Sequence, residues 1–131
     1  MNNEKYIIGA MIQWQDKALT GIDRLSAQHF TAPAGVALFI AIRDLLSQKK
    51  PLSISIIGSI YPDLATFAMD CVEHAPSGQS FEHHLQLLED AYISRELRIL
   101  LQNSLYQLDN KESGISAIQT NINNLALKVV S

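Results

Sequence analysis

Apolar residues recur along this chain at intervals of three and four, the spacing of one face of an α-helix, and almost nowhere in the strict alternation of a strand. Tyr6, Ile7, Met11 and Trp14, with Ile8 and Ile12 beside them, draw a first stripe, and Leu19, Ile22 and Leu25 draw a second behind Asp16. Two helices are therefore expected before the turn at Ser26-Ala-Gln-His29. Pro33 suits the first turn of a third helix, where its missing N–H would be unpaired anyway. Val36, Leu38, Phe39, Ile42, Leu45 and Leu46 make that helix apolar over a wide face, which marks it as the expected centre of the core. Pro51 stops it. Leu52 to Ile57 alternates briefly and could be a strand, but a lone strand would have nothing to pair with and Ser53 can cap a short helix, so helix is the reading preferred. Tyr61-Pro62 opens a fifth helix carrying Leu64, Phe67, Ala68, Cys71 and Val72, and Pro76 and Gly78 break the chain after it.

From Ser80 the pattern changes. Phe81, Leu85, Leu88, Tyr92, Leu97, Leu101, Leu105 and Leu108 follow one another at threes, fours and a single five, which at 3.6 residues per turn is about eight turns without a break. Asp109-Asn110 and Gly114 then signal a turn, and Ile115, Ile118, Ile122, Leu125 and Val129 follow at intervals of 3, 4, 3 and 4, the a/d spacing of a coiled-coil seam. The expected architecture is all-α: a helical head over residues 1–79 and a long antiparallel helical hairpin over 80–131, together one structural domain. Ile93 and the run Ile99 to Leu101 widen the apolar stripe beyond what one partner helix covers, so a second protein surface is expected against it. We expect a dimer formed through Leu97, Leu101, Leu105, Leu108, Ile115, Ile118, Ile122 and Leu125.

Composition narrows what such a chain can do. With 131 residues, 47% of them apolar and 18% charged, it can bury a core of its own, and disorder is excluded. The longest apolar run, Gly35 to Ile42, falls far short of the roughly 20 residues that span a bilayer. No basic and apolar leader opens the chain, and the one cysteine, Cys71, reads as a small buried hydrophobe; both point to the cytoplasm. Net charge is −3, and among the ten Lys and Arg residues only Lys49-Lys50 are adjacent, so there is no basic stripe to neutralise phosphates and little direct contact with nucleic acid is expected.

Candidate chemistry is sparse. The six glycines never approach the Gly-x-x-x-x-Gly-Lys-Ser/Thr spacing of a phosphate-binding loop, so no nucleotide cradle is encoded. His74, His83 and His84 lie near Asp70 and Glu82, yet no two of those histidines share the i, i+4 spacing of a helical metal pair, and a solvated surface is the better reading. No Gly-x-Ser-x-Gly turn supports a serine nucleophile. Catalytic, metal and cofactor residues are accordingly expected to be none. Trp14 reads as core against Leu19 and Ile22 rather than as an exposed partner anchor. Arg95 and Arg98, near Glu89, Asp90 and Glu96, read as a solvated charged face. Gly9 interrupts a helix at a cost of about 1 kcal/mol relative to alanine, which makes sense if another helix crosses close to it.

Three blocks, in order, carry a family resemblance. Glu4, Ile8, Gly9, Met11 and Ile12 fit a Glu-x-x-x-hydrophobic-Gly-x-hydrophobic-hydrophobic opening. Phe30, Pro33, Leu38, Phe39, Ala41 and Ile42 fit an acidic-Phe-Tyr-x-Pro-x-His-x-x-hydrophobic-Phe-x-Ala-Ile segment, with His29, Thr31 and Gly35 in place of the acidic residue, the tyrosine and the histidine. Ala75-Pro76-Ser77-Gly78-Gln79-Ser80-Phe81-Glu82-His83-His84 resembles a Thr-Pro-Ser-Ala-Ala-Asn-Ile-x-x-Tyr stretch before a long helix. The chain thus resembles the N-terminal domain of the bacterial hexameric replicative DNA helicases, the DnaB family, in a divergent version of phage or prophage type. The resemblance implies a non-catalytic assembly domain whose subunits pair through the hairpin and build a collar above a ring of ATP-dependent motor domains. It also implies docking of primase, and in some systems of a helicase loader, on that collar. The alternative is a free-standing helical adaptor that binds a helicase or primase and modulates loading. A dimerisation module of a transcription regulator is disfavoured, because no basic recognition helix is present.

Overall fold

In a computed structural model the protein is described over residues 2–110 and 115–130, apart from the side chains of 110, 115–118 and 129–130. All regular structure among the described residues is helical. The α-helices are α1 (Asn2–Gln13), α2 (Gln15–Arg24), α3 (Pro33–Ser47), α4 (Ile54–Ile60), α5 (Ala65–Glu73), α6 (Phe81–Asn110) and α7 (Ile115–Val130), with 3₁₀ turns at Ala27–His29 and Pro62–Leu64. Two compact units divide at Glu89/Asp90.

The first unit is organised around α1, which packs chiefly on α5 and also on α2 and α3. Ile7, Ile8, Ala10 and Met11 are wholly buried, as are Leu38 and Ile42 of α3, Ile57 of α4 and Cys71 of α5. Each such large side chain is worth roughly 1.5–3 kcal/mol of transfer out of water, so this one cluster accounts for the unit's cohesion. Phe81, Leu85 and Leu88, from the first turns of α6, complete the same core at 2% exposure or less.

Gly9 marks where α1 and α5 cross. A Cβ placed there would overlap the Cys71 carbonyl and lie 3.0 Å from the Val72 amide nitrogen, so only glycine lets the two backbones approach. Trp14 is extended (φ −129°, ψ 119°), and this single residue separates α1 from α2 without a glycine or proline. It is half-buried and packed on the core, with its indole edge over Gly78, while Leu19, expected beside it, is 55% exposed.

The three sequence blocks turn out to be structural joints. Glu4, buried in α1, accepts from the Thr31 backbone N–H (2.8 Å) and from the Thr31 hydroxyl (2.7 Å), fastening the strand of chain that enters α3. Tyr6 donates its hydroxyl to the Ser77 carbonyl (2.6 Å) and Gln13 its amide to the Ala75 carbonyl (2.8 Å), so α1 clamps the turn before α6 at two points. Arg24 of α2 then pairs with both Glu82 (2.7 Å) and Glu89 on α6. Leu52–Ile57, read as strand or helix from the sequence, is the start of α4, and the Ser53 hydroxyl caps it by accepting from the Ile56 N–H at 3.1 Å.

Candidate interaction surface

The second unit contains the rest of α6, together with α7. Along α6 the stripe read from the sequence is open to solvent: Leu97 is 42% exposed, Leu101 51%, Leu105 61% and Leu108 55%. Ile99, Ile122 and Leu127 are exposed as well, and Leu125 is half-buried. The side chains of Ile115 and Ile118, expected in the same surface, lie outside the described residues. Glu96 and Lys128 approach to 3.9 Å, which sets the far end of α7 beside the middle of α6 as an antiparallel hairpin requires. Large aliphatic side chains exposed at i, i+4, i+8 and i+11 on one helix are a surface that favours covering by another apolar face.

The histidines hold structure. His84 stacks on Tyr6 with ring centroids 4.0 Å apart, its Nδ1 faces the Asn3 side-chain oxygen, and His83 meets it edge-on at 5.7 Å. Burial, and secondarily the neighbouring His83, pushes the His84 imidazole below the ordinary histidine value. His74 bonds the Asp70 carbonyl from Nδ1 (2.8 Å), and the Asp70 carboxylate takes Lys5 at 2.7 Å, which holds that carboxyl below its usual range. Glu82 is taken by Arg24. Among the described residues no three His, Cys, Asp or Glu side chains converge in a way that would hold a metal ion. Cys71 is buried beneath the helix crossing, and desolvation pushes its thiol up to about 12, so it is no nucleophile in the folded chain.

A second surface feature has no signature in the sequence pattern. In the first unit a groove of about 520 Å³ runs between the α1–α2 corner and the segment leading from α3 to α4, with Leu19, Leu46, Lys49, Lys50 and Leu52 in its lining. Lys49-Lys50 stood out in the sequence as the lone adjacent basic pair, but the groove needs two segments some thirty residues apart to be brought together by the fold. No helix among the described residues is long and apolar enough to cross a membrane.

Comparison with known proteins agrees on one family. The family model of the DnaB-like helicase N-terminal domain matches residues 1–90. The N-terminal domain of DnaB helicase from Mycobacterium tuberculosis superposes with a TM-score of 0.81 at 17% identity, over 93% of this chain and 95% of that one. A DnaB-like replicative helicase, whose structure was determined together with its interactions with primase, superposes with a TM-score of 0.78 at 14% identity; 95% of this chain is covered but only 31% of that one. No match was found among curated protein sequences.

Proposed function

Since the chain belongs to the family of DnaB-like helicase N-terminal domains, the non-catalytic part of a replicative helicase whose ATPase lies in the C-terminal domain, we propose that it serves as the assembly and primase-docking collar of a hexameric helicase. Residues 1–79 are the head in this reading, and 80–131 the pairing hairpin. The observation that carries it is the open leucine stripe of α6: Leu97, Leu101, Leu105 and Leu108 project from a surface helix at 42–61% exposure, a cost in water that pairing with a second copy removes. In the same proposal Ile115, Ile118, Ile122 and Leu125 of α7 are assigned to the pairing surface by their sequence spacing. Primase is the partner by analogy with the relative whose structure describes that interaction, and a helicase loader is the second partner of the assembled collar.

Light scattering coupled to gel filtration tests the pairing directly. The chain is expected to run as a dimer, or as a dimer associating further with concentration, and Leu101→Glu with Leu105→Glu to run as a folded monomer of unchanged helicity. A wild-type chain that stays monomeric at high concentration would refute pairing through the hairpin and favour a free-standing adaptor that modulates helicase loading. Titration of primase into the wild-type and the charge variants by calorimetry then separates docking from assembly: the collar reading expects binding to weaken when pairing is lost.

A further inference from the structure

The groove of the first unit has the chemistry of a peptide-docking site. Its apolar lining passes from Ile12, 5% exposed, through half-buried Leu46 and Leu52 to Leu19, which leaves 55% of its surface in water, with exposed Gln13 and Gln15 also in the lining. Beside this apolar floor stand Lys49 and Lys50, both exposed, and neither makes an ion pair among the described residues. Among the described residues no carboxylate lines the groove, although the chain as a whole carries a net charge of −3. Asp16, at the α1–α2 corner, pairs with Lys17 at 3.6 Å.

Backbone geometry adds a second, independent observation. The end of α3 closes in a Schellman motif, with the Lys50 N–H on the Leu45 carbonyl (2.9 Å) and the Lys49 N–H on the Leu46 carbonyl (3.0 Å). Lys49 occupies the left-handed position of that motif at φ 59°, the one positive φ of a non-glycine residue among those described. Glycine is the ordinary occupant, because a side chain there is strained. The chain instead places a long cationic side chain at this point, in the lining of the groove, at a cost in backbone strain that a glycine would avoid.

We propose that this groove docks an acidic amphipathic helix from a partner protein, its leucine-class side chains seated between Leu19 and Leu52 and its carboxylates on the ammonium groups of Lys49 and Lys50. Helix-in-groove recognition needs an apolar trough with charge at its border, and that is what these residues supply. A nucleic-acid strand fits less well, since a phosphate backbone is held by a run of cations along a track and only two are present here. The site lies wholly within the first unit and does not depend on pairing through α6 and α7.

The probe is a fluorescein-labelled peptide of about 18 residues, five helical turns, with leucines at i, i+4 and i+7 and glutamates flanking them, compared by anisotropy with a counterpart in which every glutamate is lysine. The acidic peptide is expected to bind the full chain at least about tenfold more tightly than the basic one, and K49E/K50E to weaken it by a similar factor. Leu19→Asp is expected to abolish binding. Lys49→Gly is the discriminating variant: it should raise Tm by a few degrees, about 2–6 °C, by relieving the strained backbone, while weakening the peptide about threefold. Amide chemical-shift changes on titration are expected at Leu19, Leu46 and Leu52. Equal affinity for the two peptides, indifference to K49E/K50E, shifts confined to residues 90–130, or tighter binding of a single-stranded oligonucleotide than of the acidic peptide would each overturn the proposal.

Discussion

Gly9 and His84 show how much of this fold rests on single side chains, or on the lack of one. Alanine at Gly9 would drive its methyl into the Cys71 backbone, which cannot rotate aside, so Gly9→Ala is expected to destabilise the chain by about 3 kcal/mol in urea unfolding, against the usual gain from replacing a helical glycine. Gly21 is the control. Its added methyl would meet the Met11 sulfur at 2.7 Å, the far end of a flexible side chain, and Gly21→Ala is expected to cost less than half as much. His84 carries the pH response. Because burial lowers its folded pKa below the ordinary 6.5, its contribution to stability is complete above that value and is lost as pH falls from 6.5 through the lower folded value, where the unfolded chain takes up the proton first. Thermal melts between pH 7.5 and pH 5 should show Tm dropping for the wild type and a shallower drop for His84→Phe, which keeps a ring on Tyr6 and removes the charge.

Elements differed in how far the sequence disclosed them. α3 was legible because Pro33 opens it and its apolar face is wide, and α6 because its stripe runs unbroken from Phe81 to Leu108. α4 hung on one residue: alternation in Leu52–Ile57 fits strand or helix, and the Ser53 cap decides between them. Removing that hydroxyl in Ser53→Ala is expected to cost about 1 kcal/mol, read as a shift in urea midpoint with unchanged slope. The 3₁₀ turn at Pro62–Leu64 has no signature in the sequence: Pro62 marks the start of a fifth helix by pattern, whereas the Leu64 N–H bonds the Tyr61 carbonyl at 2.9 Å and α5 begins only at Ala65. Proline at a helix start fixes φ in a range that both helix types share, so the residue alone does not choose between them. Lys49 was equally opaque, since its left-handed backbone follows from the closure of α3 and leaves no compositional sign.

For the whole molecule, the long helix is where reading by pattern and packing by contact part ways. Ser80 is where the sequence changes character, yet Phe81, Leu85 and Leu88 beyond it are all at 2% exposure or less in the core of the first unit. A chain ending at Gln79 would lose three large side chains from that core and is expected to show no cooperative unfolding transition, while one ending at Glu89 is expected to melt as a single folded unit. Calorimetry on the two truncations decides this. The candidate surfaces divide in the same way: the leucines of α6 could be read from spacing alone, because one helix presents them all, but the groove of Leu19, Lys49 and Leu52 arises only when α1–α2 and α3–α4 meet. Its two lysines were visible as a pair and mute as to what they border.

The crossing at Gly9 gives the molecule an internal clock. The chain's one thiol, Cys71, sits directly beneath that contact, wholly shielded and with its proton held to about 12, so an alkylating reagent reaches it only when α1 lifts from α5. Where reclosing outpaces alkylation, its rate of modification in native buffer therefore counts the open fraction of the first unit. A ligand that binds only the closed unit would slow that count in proportion to its occupancy, whichever surface it occupies.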